Sequence, residues 1–138
     1  MNIEKIKDKL KPVIYPVINF IPRRRLKNKE FSIICDNCWA GKVYQELGLP
    51  YQTPFVGLFI FSPDYLKLVT NPKYYLKGNH ELQFITESKY IPNFENSYPL
   101  ALLDDIEIHF LHYKNEDEAR AKWSRRLERL HWNNLYFK

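Results

Sequence analysis

The stretch Phe31–Gly41, FSIICDNCWAG, decides the fold class of this chain. It opens with a compact, mostly apolar run that contains β-branched residues, which is typical of a short buried strand. The pair Asp36-Asn37 then supplies turn chemistry. The segment Trp39–Leu47 has a helical pattern, and Gly48 stands where a helix commonly ends. Strand, tight loop and helix in this order form half of a βαβ unit and predict an α/β protein.

The following residues continue this alternation of strand and helix patterns. We predict, in chain order, a strand-like segment at Thr53–Ile60, short helices at Asp64–Thr70 and Pro72–Leu76, a strand at Leu82–Thr86 and an irregular stretch at Ser88–Pro99. Leu103–Tyr113 alternates apolar residues with Glu107 and His109, which predicts another strand. The whole pattern indicates a three-layer α/β/α architecture with a mixed, mostly parallel sheet.

The last residues predict a helix and then a further strand. Asn115, followed three residues later by Glu118, is a capping pattern. The helix is expected to run to about His131, with its arginines, including Arg126, mostly on the outer face. A new strand begins at Leu135, so the chain stops inside an apparent strand. We therefore expect a chain truncated at its C-terminus relative to a longer parent protein.

The length of 138 residues predicts one α/β domain, residues 31–138, preceded by a basic amphipathic N-terminal arm, residues 1–30. The arm carries nine Lys or Arg residues against three acidic residues, and the whole chain has a net charge of +5. Its apolar run Val13–Ile21 has nine residues, whereas a membrane-spanning helix needs about 20. The arm is expected either to pack on the domain or to lie at a membrane surface near anionic head groups.

The two cysteines, Cys35 and Cys38, have a C-x-x-C spacing that serves redox chemistry or half of a zinc site in other proteins. A zinc site needs two further ligands, and the four histidines have no finger-like arrangement, so no metal or cofactor is predicted. Few cysteines and the lack of a cleavable signal predict a cytoplasmic location. The basic arm adds peripheral contact at the inner face of the membrane as a second expectation.

Glycine-rich phosphate loops are missing from the sequence, which has four glycines and neither a G-x-G-x-x-G nor a P-loop pattern. This disfavours ATP- and dinucleotide-dependent enzymes of the usual types. The basic arm has no recognition motif beside its charge, so no specific nucleic-acid partner is predicted.

Functional side chains in open α/β sheets lie beyond the carboxyl ends of strands. Two predicted strand ends present polar side chains, namely Asp36, Asn37, Cys38 and Trp39 at the first, and His109, His112 and Tyr113 at the second. Neighbouring strands would bring the two sets to one cleft. We predict catalytic roles for Asp36, His112 and Cys38, and substrate-binding roles for Asn37, Trp39, His109 and Tyr113.

Most of these residues also have a structural interpretation. Asp36 suits a cap of the following helix, and Asn37 suits the turn alone. Trp39 fits core packing as well as stacking on a sugar. His109 alternates with apolar positions and fits a hydrogen-bonded structural histidine, whereas His112 at the strand end is the better acid/base candidate.

Four motifs give the chain a resemblance to the DUF1919 family: N-C-W at Asn37–Trp39, E-L-G-L-P-Y at Glu46–Tyr51, D-I-E-I-H-F-L-H-Y at Asp105–Tyr113 and A-x-x-K-W-x-R-R at Ala119–Arg126. The resemblance covers about Phe31 to Lys138. It implies a three-layer α/β fold and a place among bacterial proteins of unassigned activity that are often described as exopolysaccharide or capsular polysaccharide biosynthesis proteins.

Two hypotheses of function follow from the residues and this resemblance. In the first, the protein is a transferase of cell-surface polysaccharide biosynthesis that acts on a sugar or a sugar-linked carrier. Asp36 and His112 would then do acid/base work, Asn37 would orient a hydroxyl, and Trp39 would stack on a sugar ring. In the second, it is a non-catalytic accessory or interaction protein of the same pathway. The expected partner is a sugar or polysaccharide-precursor ligand.

Overall fold

A computed structural model describes residues 22–138 of the chain. Within these residues the elements are, in chain order, β1 (Ser32–Ile34), α1 (Trp39–Leu47), α2 (Ser62–Thr70), α3 (Pro72–Lys77), β2 (Leu82–Ile85), β3 (Leu100–Leu103), β4 (Ile106–His109), α4 (Glu116–Leu127) and β5 (Leu135–Phe137). The predicted basic arm lies outside the described residues up to residue 21. Its described part, residues 22–30, begins with a helical turn and is exposed except for the half-buried Leu26.

The first strand–loop–helix unit forms as its sequence pattern predicts. β1 is fully buried. The hydroxyl of Tyr44 on α1 donates to the carbonyl oxygen of Phe31 and accepts from the N–H of Ile33, which fixes the helix against the strand. α1 ends at Gly48, whose φ of 63° lies in the left-handed region that glycine adopts without a Cβ penalty.

The strands form two sheets. β1 pairs with β5 in parallel, whereas β2, β3 and β4 form an antiparallel sheet in that order. Helices combined with parallel and antiparallel strands agree with the predicted α/β class. The described residues differ from the mostly parallel sheet of the prediction, because β3 and β4 are joined by a two-residue turn that only antiparallel strands share.

Asp104 and Asp105 make this turn and divide the single long strand predicted there. Asp104 has a φ of 56°, a conformation that Asp tolerates better than most residues. Its carboxylate accepts a hydrogen bond from the hydroxyl of Tyr74, and that of Asp105 accepts hydrogen bonds from Tyr75 and Lys67. These contacts hold the hairpin against α2 and α3.

The residues after α1 differ from the strand-like run predicted at Thr53–Ile60. Within the described residues this segment makes an isolated bridge between Phe59 and His109, and Gly57 interrupts it with a φ of 69°. The N–H of Ile60 donates to the carbonyl oxygen of Asp36 at 2.8 Å. The segment therefore lies between the end of β1 and the end of β4.

Alternation along β4 separates the two faces of the antiparallel sheet. Ile106 and Ile108 join the apolar core together with Leu103 of β3. Glu107 and His109 lie on the opposite face. Residues 86–99, named the covering loop from here on, pack over this second face through hydrogen bonds to both side chains.

The helix α4 begins at its predicted cap, because the side chain of Asn115 accepts a backbone N–H of the first turn at 2.8 Å. It ends at residue 127 rather than near residue 131. Trp123 lies on its buried face as predicted. Arg126, which was expected outside, is buried, since its guanidinium donates to the hydroxyl of Tyr113 at 2.8 Å and lies over the ring of Tyr51.

Candidate functional site

Three side chains form a continuous hydrogen-bonded chain on the covered face of the antiparallel sheet. Oε1 of Glu107 lies 2.8 Å from Nε2 of His109, and Nδ1 of the same ring lies 3.0 Å from the hydroxyl oxygen of Tyr98. The side chains of Glu107 and His109 are 0% and 1% exposed. We name these three residues the relay. In many enzymes a carboxylate in this order orients the imidazole, and the imidazole acts as a base toward the hydroxyl.

Strand geometry explains why the relay forms. Residues two apart on a strand lie on the same face, so β4 presents Glu107 and His109 side by side. Tyr98 lies near the end of the covering loop, two residues before Leu100, which pairs directly with His109 in the antiparallel register. The loop therefore brings its phenol to the imidazole.

The hydrogen bonds assign one tautomer to His109. A carboxylate only accepts, so Nε2 carries the proton that is donated to Glu107, and Nδ1 accepts from the hydroxyl of Tyr98. Burial lowers the pKa of His109 from its ordinary value of 6.5 and outweighs the carboxylates of Glu107 and Asp64, which act in the opposite direction. Burial also raises the pKa of Tyr98, and the charge of Glu107 adds to this effect. The relay at neutral pH is a neutral phenol beside a neutral imidazole.

A second buried carboxylate, Asp64, adjoins the relay. Its Oδ2 accepts the backbone N–H of Glu107 at 2.7 Å and lies 2.7 Å from Nζ of Lys89. Its Oδ1 lies 3.7 Å from Nζ of Lys67. Asp64 is 1% exposed, so these two ammonium groups offset a charge whose burial would otherwise be costly.

Glu107 also anchors the start of the covering loop. The hydroxyl of Ser88 donates to Oε1 at 2.5 Å, and the N–H of Lys89 donates to Oε2 at 2.9 Å. The oxygen of Ser88 in turn accepts the N–H groups of Tyr90 and Ile91. One carboxylate therefore positions both the ring of His109 and the first turn of the loop that covers it.

Cavities adjoin both ends of the relay. A cavity of about 510 Å³ is lined by Glu107 and Lys89 together with apolar side chains of β2 and β3. A smaller cavity of about 250 Å³ is lined by Tyr98 and by mostly polar neighbours, including Asn96, Ser97, Lys114 and Asn115. The aromatic rings around His109 belong to Phe59, Phe61 and Phe94. Tyr98 thus links the smaller cavity to the buried imidazole of His109.

The strand-end loop, residues 36–39, lies elsewhere, between β1 and α1. Oδ1 of Asn37 accepts the N–H of Trp39 at 2.9 Å, which is a turn contact. Cys38 is half-buried, and its Sγ lies 3.8 Å from the carbonyl oxygen of Leu58. Burial raises the pKa of Cys38, which favours the protonated thiol over the nucleophilic thiolate.

His112 and Tyr113 are brought to the segment that this loop contacts. The N–H of His112 donates to the carbonyl oxygen of Gly57 at 3.1 Å, and the hydroxyl of Tyr113 donates to that of Val56 at 2.6 Å. The imidazole of His112 is exposed. Burial raises the pKa of Tyr113, the guanidinium of Arg126 opposes this, and weaker contributions come from neighbours that include the Cys38 thiol.

The predicted site residues therefore fall into separate groups. Four of them contact residues 56–60, namely Asp36, Cys38, His112 and Tyr113. In the described part of the chain the side chains of these four residues make no hydrogen bond to one another. His109 belongs to the relay instead. Asn37 serves the turn, and Trp39 lines an apolar groove that contains none of the other predicted site residues.

The sequence prediction did not include four residues around His109. Glu107 carries a local signal, because it precedes His109 by two positions in a predicted strand and so shares its face. Asp64 and Lys89 are separated from Glu107 by 43 and 18 residues. Tyr98 comes from an irregular segment. No periodic pattern connects positions of this kind, so only the folded chain brings them together.

Some further properties concern metals and membranes. Among residues 22–138, no group of three or more His, Cys, Asp or Glu side chains is arranged to hold a metal ion. The described part of the chain also contains no helix with the length and apolar character needed to cross a bilayer.

The fold and the relay together define an α/β protein with a carboxylate–imidazole–phenol site beneath a covering loop. Residues 9–138 match the family described as "Domain of unknown function (DUF1919)". The chain belongs to the DUF1919 family, and this match confirms the family resemblance carried by its motifs.

A curated relative from Haemophilus influenzae bears the name "Uncharacterized protein". It is 35% identical to this chain over 119 residues, which are 86% of this chain and 53% of the relative. The chain therefore spans about half the length of the curated relative it matches.

Proposed function

We propose that the relay is the proton-transfer site of a transferase that acts on a hydroxyl of a sugar or sugar-linked carrier in cell-surface polysaccharide biosynthesis. The observation that carries this proposal is the hydrogen-bonded chain from Glu107 through His109 to Tyr98, a residue that also lines the 250 Å³ cavity. The pathway is proposed from the family resemblance, and the chemistry from the relay.

The proposed reaction begins with an acceptor hydroxyl hydrogen-bonded to the oxygen of Tyr98. As the acceptor oxygen forms its bond to the transferred group, its proton passes to Tyr98, and the phenolic proton of Tyr98 passes to Nδ1 of His109. The bond between the transferred group and its donor breaks, and the leaving group takes the electron pair. Glu107 stabilises the imidazolium that forms through its 2.8 Å contact with Nε2.

The lining of the smaller cavity supports a sugar as the acceptor. Asn96, Ser97 and Lys114 line it and belong to residue types that hydrogen-bond to hydroxyl groups. The lowered pKa of His109 also supports the proposal, because a base must begin the reaction unprotonated. We keep the predicted catalytic roles of Asp36, Cys38 and His112 as proposals, for a second contact with the substrate. The predicted substrate-binding roles of Asn37, Trp39 and Tyr113 are kept in the same way. The three-layer arrangement and the cytoplasmic location stay predictions.

The alternative is a non-catalytic accessory protein of the same pathway. The hydrogen bonds between Glu107 and the covering loop favour this alternative. The carboxylate of Glu107 also accepts hydrogen bonds from Ser88 and Lys89, which fasten the covering loop to the sheet. In that case the relay is a structural clamp, and the surface of the covering loop would be the part that contacts a partner.

Replacement of the gene for the full protein in its source bacterium tests these proposals. The variant Tyr98→Phe keeps the ring and removes the relay hydroxyl, and Tyr74→Phe is the matched control because its exposed hydroxyl bonds Asp104 instead. We expect Tyr98→Phe to lower transfer by roughly 100-fold or more. The measurement is NMR analysis of the isolated surface polysaccharide, with immunoblotting of the protein.

The outcomes separate the hypotheses. Loss of one polysaccharide substituent or linkage in the Tyr98→Phe strain, at normal protein level and with a normal Tyr74→Phe strain, supports the transferase. A polysaccharide that is lost on gene deletion but normal with Tyr98→Phe supports the accessory protein. An unchanged polysaccharide after gene deletion contradicts the assignment to this pathway.

A further inference from the structure

An apolar groove of about 500 Å³ lies beside β1, away from the relay. One wall is a stripe of α1 formed by Trp39, Val43 and Leu47, which are spaced four residues apart and so lie on one side of the helix. Eight residues of helix rise by about 12 Å, so the stripe forms an elongated wall.

The opposite wall comes from the parallel sheet and the residues before it. Ile33 and Tyr136 are register partners in β1 and β5, and Phe31 contacts Tyr136 edge to face at 6.1 Å. Leu26 also lines the groove. Trp39 and Tyr136 are 42% and 57% exposed, so two aromatic side chains of the groove remain in contact with solvent.

Positive charge borders this groove. Lys27 lines it, and Nζ of Lys138 lies 5.1 Å from the ring centre of Trp39. Arg23, Arg25 and Lys29, which are close to Lys27 in the sequence, are exposed as well. Glu30 and Glu46 are the acidic residues nearest in sequence, and Glu46 faces Lys42 at 4.0 Å. The border is therefore cationic where the interior is apolar.

We propose that this groove binds an acyl chain of an anionic phospholipid, with the head group at Lys27 and Lys138. An apolar wall with a tryptophan at its exposed end and cations beside it matches the two parts of such a lipid. A second copy of the same face is disfavoured, because it would bring like charges together. The proposal stands on the groove alone and does not depend on the proposed transferase.

Fluorescence quenching by lipids with brominated acyl chains tests where the chain of the lipid goes. The full chain is mixed with vesicles of brominated phosphatidylglycerol or brominated phosphatidylcholine, and tryptophan emission is recorded. We expect quenching only with phosphatidylglycerol. The variant Trp39→Phe is expected to lose most of the quenching measured per vesicle-bound protein, because Trp123 is buried and Trp132 lies under Lys77.

Charge insertion tests whether the groove itself is occupied. Tyr136→Glu changes a side chain that is largely exposed, and Val43→Glu changes the middle of the helical stripe. Leu66→Glu is the matched control on α2, since Leu66 is 62% exposed and does not line the groove. We expect at least tenfold weaker vesicle binding for both groove variants and unchanged binding for the control, with thermal melts confirming that all three fold.

Several outcomes would overturn the proposal. Equal binding of groove variants and control means that the basic segment binds vesicles without the groove. Equal quenching by the two lipids means that charge plays no part. A dimer in sedimentation analysis that Tyr136→Glu dissociates means that a second copy covers the groove.

Discussion

The relay and the strand-end loop both carry titratable side chains, but the two regions hold them differently. Glu107 and His109 are almost fully buried and hydrogen-bond directly to each other. In the strand-end region, His112 is exposed and Cys38 makes only a long contact through sulfur. The side chains of the relay are therefore joined into one hydrogen-bonded chain, whereas His112 and Cys38 near the strand-end loop are not bonded to each other.

This difference shows that parallel and antiparallel sheets bring polar side chains together at different places. β1 has a parallel partner, so its carboxyl end is the expected place for a site, and the strand-end loop lies there. β4 belongs to an antiparallel sheet, and such a sheet presents alternate residues on a face rather than at an end. The covered face of β4 is where His109 meets Glu107.

The largest expected effect is that of Glu107→Ala. It leaves the buried ring N–H of His109 without its acceptor, and it also removes the acceptor of the Ser88 hydroxyl and the Lys89 N–H, which fasten the covering loop. We expect the free energy of unfolding to fall by about 3–5 kcal/mol, measured by urea denaturation. Asp36→Ala is the control from the other region and should cost less than about 1 kcal/mol. Similar losses for the two variants would contradict the contrast between the regions.

A smaller effect is expected for Gly57→Ala, next to the strand-end loop. Gly57 has a φ of 69°, and an added Cβ would meet the Cβ of His112 at 3.2 Å. We expect a loss of about 1–2 kcal/mol in the free energy of unfolding, because an L residue is strained in this conformation. A stability equal to that of the wild type would show that this segment is more adaptable than its backbone indicates.

The pH dependence of stability distinguishes the two regions through their histidines. The folded protein lowers the pKa of His109, so the unfolded chain binds a proton more readily below pH 6.5. The free energy of unfolding should therefore fall as the pH drops from 6.5 toward the lowered pKa, by at most about 1.4 kcal/mol per pH unit for this one proton.

Urea denaturation at a series of pH values checks this expectation. His109→Gln is expected to remove this contribution to the slope, and His112→Gln, at an exposed position, should retain it. A slope that disappears with His112→Gln and persists with His109→Gln would be the opposite of the expected result.

The smallest expected effect is that of Asn37→Ala. This change removes the side-chain acceptor for the N–H of Trp39 at the start of α1, and we expect a loss of about 0.5–1 kcal/mol. Asn37→Asp keeps an acceptor oxygen and should restore most of the stability. Thermal denaturation followed by circular dichroism measures both. A full loss of folding with Asn37→Ala would indicate a larger role for the strand-end loop.

Sequence patterns predicted correctly the helix boundaries that depend on residues nearby in the chain. α1 has the predicted bounds because Gly48 ends it, and α4 begins at Asn115 because that side chain caps it. The turn at Asp104 was missed, since it is held by Tyr74 from 30 residues away. Alternation identified the face of His109 but not its neighbours.

The candidate site was predictable only in part, because several of its residues are far apart in the sequence. The covering loop has no periodicity, and the bond between Asp64 and Glu107 spans 43 residues. Arg126 lies on the buried face of α4 although its charge suggested the opposite, because Tyr113 and Tyr51 supply a hydroxyl and a ring for it. Such positions depend on which elements become neighbours in the fold.

The parallel pairing of β1 with β5 has a consequence for how the chain folds during synthesis. Ser32 and its partner Leu135 are 103 residues apart (135 − 32). A ribosome adds about 5–20 residues per second, so β1 is made roughly 5–20 seconds before the strand that pairs with it. During that interval the backbone groups of β1 that later pair with β5 have no partner strand. The β1 segment is therefore where we expect chaperones to engage the nascent chain.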